Sequence, residues 1–439
     1  MLMNRRLSFF CSLILITLFI ACSPPEPPPI PPTRSVETNP LADITLRVAV
    51  RAGDVSKGIE SAIADWEAQT GIQVELHGFS HAYLQEEIFL NVIAEDGRYD
   101  VVLIDDPWFP SLAGNDYLMP LSAFNYQADE DFVTGSLNIG MWPPPSGPRP
   151  PELATSAIPQ LYALPLVGNV QLFWYNKDVI PQPPADISEL LTVLIQEGQA
   201  QNMYNYSYTG SAGNPIVTEF NAWNWSYGGR IFDDQWQVTI NHPESVQALT
   251  DWLALLENTS PETKQYTSSG NTGQEVLQNQ ALASMVWPAN IPSLMGAYPD
   301  APNLQVTSLP AGVAQSSQIG HWLLAIPTTA QHKQEAYNFI LYATSQEAMR
   351  QSAEFGLPPT RTSLLQAEDL VAQYPWFPEI ETAINNSSWR PRTPLWTKIE
   401  HILGNYLALA AAGQLTPQEA LDSAALEIED VLEKANYYN

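Results

Sequence analysis

The chain has 439 residues, 45% hydrophobic and 15% charged, with 18 Lys+Arg against 47 Asp+Glu for a formal net charge of −29. That length supports two sizeable cores, and the acidity excludes a surface built for nucleic acid or anionic lipid, both of which need a basic footprint. Two cysteines, Cys11 and Cys22, exclude a disulfide framework or a cysteine-rich zinc site.

Arg5 and Arg6 open the chain, and Leu7 to Ile20 form an apolar stretch interrupted by Ser8, Cys11, Ser12 and Thr17. A membrane span needs roughly 20 apolar residues, so residues 1–21 read as a secretory signal peptide. Phe19-Ile20-Ala21-Cys22 resembles the lipobox of bacterial lipoproteins, which implies acylation of Cys22 as the mature N-terminus. With Arg5 and Arg6 removed, −29 becomes −31, and one cysteine remains. Residues 22–43 carry prolines at 24, 25, 27, 28, 29, 31 and 32, which predict an extended tether rather than a folded element. Membrane contact is expected through the Cys22 lipid alone, on a chain facing the periplasm or the cell exterior.

The folded body is expected from Ile44. Ile44, Leu46, Val48 and Val50 alternate as a half-buried strand, and Ile59, Ile63 and Trp66 follow at helical spacing with Gly71 as the stop. Ile72, Val74 and Leu76 start a second strand, Tyr83 to Ala94 a second helix, and Tyr99 to Ile104 is a continuous run typical of a buried parallel strand. This βαβαβ order predicts a mainly parallel sheet covered by helices, with ligands at the carboxyl ends of the strands, near Gly53-Asp54 and Asp105-Asp106-Pro107-Trp108. Residues 142–151 read as a proline-rich surface loop. Gly168-Asn169 sits at a hinge into a second lobe, Gly320 to Pro327 reads as a strand, and Glu335 to Ala343 as a helix. Thr416-Pro417-Gln418-Glu419 predicts a capping box, followed by a buried face of Leu421, Ala424, Ala425, Ile428 and Leu432.

Catalytic signatures are scarce. The chain has no Gly-x-Ser-x-Gly elbow, P-loop or His-Glu-x-x-His, and its six histidines are scattered. Asp105-Asp106 and Asp233-Asp234 are adjacent pairs whose side chains diverge, a poor fit to a glycosidase dyad. No enzyme, metal or cofactor is expected. Thirteen tryptophans, several in polar company, are the stronger signal: an indole face suits the C–H face of a sugar ring, with nearby Asp, Asn, His and Arg to fix hydroxyls. Core packing is the alternative for each of them.

Several segments occur in the order of a known family: Asp65 to Ile72, Tyr99-Asp100-Val101-Val102, Leu118-Met119-Pro120-Leu121, Tyr175-Asn176-Lys177-Asp178, Trp225 to Phe232, Gly320 to Pro327, and Ala336 to Ile340. From about Ile44 onward the chain resembles the extracellular solute-binding proteins of ABC importers, the carbohydrate-binding group that includes the maltose-binding protein. The resemblance implies a periplasmic-binding-protein-like α/β fold, two lobes with a hinge and a ligand cleft. The first lobe would take 44–167 and 319–370 and the second 168–318, with the C-terminal helices of 371–439 mainly on the second. It implies a monomeric receptor for a sugar, oligosaccharide or polyol that serves an ABC permease. A sensing lipoprotein for a membrane signalling partner is the alternative, and a glycoside-acting enzyme a more distant one. Asp54, His81, Asp106, Trp108, Asn169, Trp225, Trp287, Trp322, Arg361, Trp389 and Trp396 are the expected ligand contacts. Each has a structural alternative: Asp54 suits a helix cap, Asp105 or Asp106 could satisfy turn amides so that one of the two faces the cleft, and Arg361 could pair with an acid.

Overall fold

A computed structural model describes residues 43–153 and 156–438; the signal segment, Cys22 and all of the tether up to residue 42 lie outside the described residues. The first sheet has the strand order Gln73–Phe79, Thr45–Arg51, Val101–Asp105, Trp322–Ala325, Ala163–Val167. Its first three strands pair in parallel, while Trp322–Ala325 runs antiparallel to both neighbours. Every residue of Val101–Asp105 is buried, as a strand covered on both faces requires. Ile59, Ala62 and Trp66 form the buried stripe of the helix Asp54–Thr70. Gly71 ends that helix at φ 78°, a left-handed turn a side chain would oppose, and its N–H donates to the Glu67 carbonyl at 2.9 Å.

The second sheet has Leu172–Asn176 at its centre, flanked antiparallel by Ala283–Val286 and Leu304–Thr307. Side chains alternate across it: Phe173 and Tyr175 enter a second core with Phe220, Trp223, Trp252 and Trp396, while Leu172 and Trp174 face the other way. The expected capping box is present at Thr416, and Leu421, Ala424, Ala425, Ile428 and Leu432 are all buried on the helix Pro417–Lys434.

Three segments cross between the two lobes. Gly320 N–H donates to the Asn169 carbonyl at 2.9 Å and Gln171 N–H to the Gln318 carbonyl at 2.8 Å, and Gln318 also bridges to Ser388. The third crossing lies near Ser388, which corrects the boundary expected at 371. Leu370, Tyr374, Phe377, Ile380 and Ile384 belong to the first core, and only from Trp396 does the chain enter the second. The proline-rich loop also does more than skim the surface. Trp142 is buried in the first core, and the Arg149 carbonyl accepts from Trp236 Nε1 at 2.8 Å. No helix among the described residues is long and apolar enough to cross a membrane.

Candidate functional site

A cavity of ≈ 550 Å³ lies where the two sheets and the crossing segments meet. Its first-lobe wall is built from strand ends on one edge of the sheet: Arg51 and Asp105 close their strands, His81 follows the second strand, and Trp322 begins the reversed one. Strand carboxyl ends collect polar side chains there because the sheet interior accepts only apolar ones. The second lobe contributes Asn214, Ser268, Trp287 and Asn290, and the crossings contribute Asn169, Gly320 and Arg390. Gly320 is required by the packing: a Cβ on it would lie 2.5 Å from the Trp287 ring.

The charges here are tied to one another. Asp105 Oδ2 lies 2.8 Å from His81 Nε2, and its Oδ1 accepts from the Asp106 amide at 3.0 Å. Burial pushes the Asp105 carboxyl up, but the His81 hydrogen bond and the charges of His81, Arg390 and Arg51 hold it below its ordinary value. Asp106 is fully buried behind the cavity and paired with Arg390, whose Nε lies 3.6 Å from Glu400. Burial raises the Asp106 carboxyl against the pull of Arg390. Arg392 donates to the Asp106 carbonyl at 3.3 Å and to the Ile139 carbonyl at 2.5 Å, and burial lowers its guanidinium to about 10. His321 lies in the crossing, Nδ1 2.9 Å from the Asn169 carbonyl and Nε2 2.7 Å from Ser136 Oγ; burial depresses it to about 4.

The structure brings His81, Asn169, Trp287 and Trp322 together on the cavity wall. Asp54 stands beside it and ties the lobes: Oδ1 accepts from Lys57 Nζ at 2.7 Å and from Ser293 Oγ at 2.6 Å, and Oδ2 lies 3.5 Å from Asn290 Nδ2. Four expectations are corrected. Asp106 faces inward to Arg390, and its neighbour Asp105 takes the cavity side, because the strand ends at Asp105 and a short 3₁₀ turn begins at Asp106. Trp108 is 3% exposed and sits behind the wall, 4.9 Å from the His81 ring and 5.9 Å from the Trp322 ring. Trp396 is packed in the second core. Arg361 lies elsewhere in the first lobe, 2.6 Å from Asp129 and 3.3 Å from Asp131, with its Nε donating to the Thr344 carbonyl at 3.0 Å. Trp225 and Trp389 line a second pocket of ≈ 370 Å³ that shares Arg390 with the first and is roofed by Ser146 to Pro148.

Arg51, Asn214, Ser268, Asn290 and Arg390 were not anticipated. The strand-end rule that pointed to Asp54 applies equally to Arg51, the last residue of the first strand. Nothing local marks Asn214 or Arg390, which reach the cavity through long-range packing. Among the described residues no group of three His, Cys, Asp or Glu could hold a metal ion.

Residues 52–350 match the family Bacterial extracellular solute-binding protein. A probable ABC transporter-binding protein of Deinococcus radiodurans is 25% identical over 299 residues, covering 62% of this chain and 68% of that protein. Among solved structures, maltose-bound MalE3 of T. maritima is 21% identical, with a TM-score of 0.77 over 89% of this chain and 100% of that one. A solute-binding protein of Agrobacterium radiobacter K84 in complex with ribitol is 22% identical, with the same TM-score and coverage.

Proposed function

The chain belongs to the bacterial extracellular solute-binding protein family, and from that premise we propose that it is the receptor of an ABC importer for a sugar, oligosaccharide or polyol, held in the cavity between its lobes. The observation that carries the reading is the composition of that cavity. Trp287 offers a partly exposed apolar ring with the buried Trp322 in the wall beside it, while Asn169, Asn214, Asn290 and Ser268 bring amide and hydroxyl groups around them, the mix a polyhydroxylated ring or chain needs. The related proteins solved with maltose and with ribitol support the ligand class.

No bond is made or broken in this role. A ligand touching both walls favours the closed arrangement by its differential affinity for it, and links such as Asp54 to Ser293 fasten the same closure. A monomer tethered by a lipid on Cys22 would keep the receptor beside its permease, raising its local concentration there. The anchor has its own check: Cys22→Ala protein should leave the membrane fraction, and retention there would remove the tether. For the ligand class, a thermal-shift panel of sugars and polyols should raise the melting temperature through linkage. A panel silent for all of them but positive for an amino acid or peptide would overturn the sugar reading.

A further inference from the structure

We infer that the ligand is an acidic sugar whose carboxylate is held by Arg51. The inference rests on the sugar-receptor reading and narrows it.

Four ionic side chains line the cavity: Arg51, His81, Asp105 and Arg390. Two are fully engaged within the protein. Both Asp105 oxygens accept hydrogen bonds, from His81 and from the Asp106 amide. Arg390 is paired with Asp106, approaches Glu400, and donates to the Ile319 carbonyl at 3.2 Å. Arg51 differs. Among the described residues no carboxylate lies within ion-pair distance of it, although Asp105 acts on it at longer range, and its Nε is shielded from solvent without a hydrogen-bond partner. Its guanidinium stands 5.7 Å from the centroid of the Trp322 ring, a cation–π contact that orients the group without neutralising it. A chain with 47 acids and 18 Lys+Arg has ample carboxylates to pair its cations. Arg51 makes no contact ion pair and feels Asp105 only at longer range, which leaves its guanidinium open to a counter-charge that a ligand brings.

The backbone reinforces this charge. The helices His81–Ala94, Asn214–Ser226 and Ser269–Leu277 all begin at the cavity edge, and none has a side-chain hydrogen bond capping its N-terminus. Their positive ends add to Arg51 where an anion would sit. A net charge of −29 repels anions at long range, so recognition has to be local, as this arrangement is. One free guanidinium matches one carboxylate in a bidentate pair, whereas a phosphate dianion would need a second cation. Trp287 is left for the sugar's carbon face.

The test is calorimetric titration of the protein with matched pairs: D-galacturonate and D-galactose, D-glucuronate and D-glucose, D-gluconate and D-glucitol, with glucose 6-phosphate as the phosphate arm. At least one acid should bind about tenfold or more tighter than its neutral partner, and Arg51→Gln should erase that margin by weakening the acid about tenfold more than it weakens the neutral partner. Arg51→Lys should keep part of the margin, with an unchanged melting temperature showing that both variants fold. Equal or tighter binding of the neutral member in every pair, or equal weakening of both members by Arg51→Gln, would overturn the inference and leave the sugar reading standing. A response to glucose 6-phosphate alone would overturn the carboxylate assignment. Silence toward every sugar and polyol, with an amino acid or peptide bound instead, would remove the parent reading and this inference with it.

Discussion

Two pockets of similar size each contain an arginine, acidic neighbours and an aromatic ring: the inter-lobe cavity at Arg51 and the first-lobe pocket of ≈ 470 Å³ at Arg361. Arg361 is 6% exposed, stands 4.2 Å from the Phe132 ring centroid, and has its hydrogen bonds taken by Asp129, Asp131 and the Thr344 carbonyl. That arrangement is a brace, complete without a ligand. Arg51 has the ring and Asp105 acting on it at longer range, but no carboxylate within ion-pair distance among the described residues, and its wall is shared between two lobes. A binding site is therefore marked less by which residue types gather than by which of their hydrogen-bonding and charge requirements the protein leaves open.

The contrast is sharpened most by removing charge behind the cavity. Arg390→Met leaves Asp106 and Glu400 buried without their cation and should cost about 3–5 kcal/mol in denaturant unfolding. A loss below about 1 kcal/mol would show that the cluster is not ionic. The crossing beside it supplies a pH effect of comparable size. His321 is depressed to about 4 by burial, so between pH 4 and 6.5 the unfolded chain binds the extra proton. Its contribution, about 3 kcal/mol, is therefore complete above pH 6.5 and lost as the pH falls toward 4. In NMR titrations the imidazole signal missing from His321→Gln should not move above about pH 5; a midpoint near the ordinary histidine value would contradict the neutral, hydrogen-bonded ring.

Smaller effects separate the two pockets directly. Gly320→Ala places a methyl against the Trp287 ring and should weaken ligand binding about tenfold by displacing that wall; unchanged affinity would mean that Trp287 does not contact the ligand. Arg361→Gln should cost about 1–3 kcal/mol of stability through the groups it leaves unpaired while ligand affinity stays within about threefold.

Much of this architecture was legible in the sequence. Periodicity marked the strands from Ile44 and Val101 and the terminal helix, because burial on one face or two leaves a direct pattern in the residues. The capping box at Thr416 was legible because it is entirely local. The site was legible only where it coincides with a strand end or a crossing, as at His81, Asn169 and Trp322. Asp105 and Asp106 could not be told apart by type, since the difference is the change from strand to 3₁₀ turn between them. Trp396 and Trp108 misled for the same reason: an indole that fills a core and one that faces a ligand are the same residue, separated only by long-range packing. The partners of Arg361 lie 230 and 232 residues away in the chain, beyond any local pattern.

The central claim, that the inter-lobe cavity is the binding site, is tested most directly by calorimetric titration of the best carbohydrate hit against wild-type, Trp322→Ala and Arg361→Gln proteins. One saturable site weakened about 30-fold or more by Trp322→Ala and left unchanged by Arg361→Gln is the predicted result. Binding indifferent to Trp322→Ala but abolished by Arg361→Gln in a folded protein would contradict it.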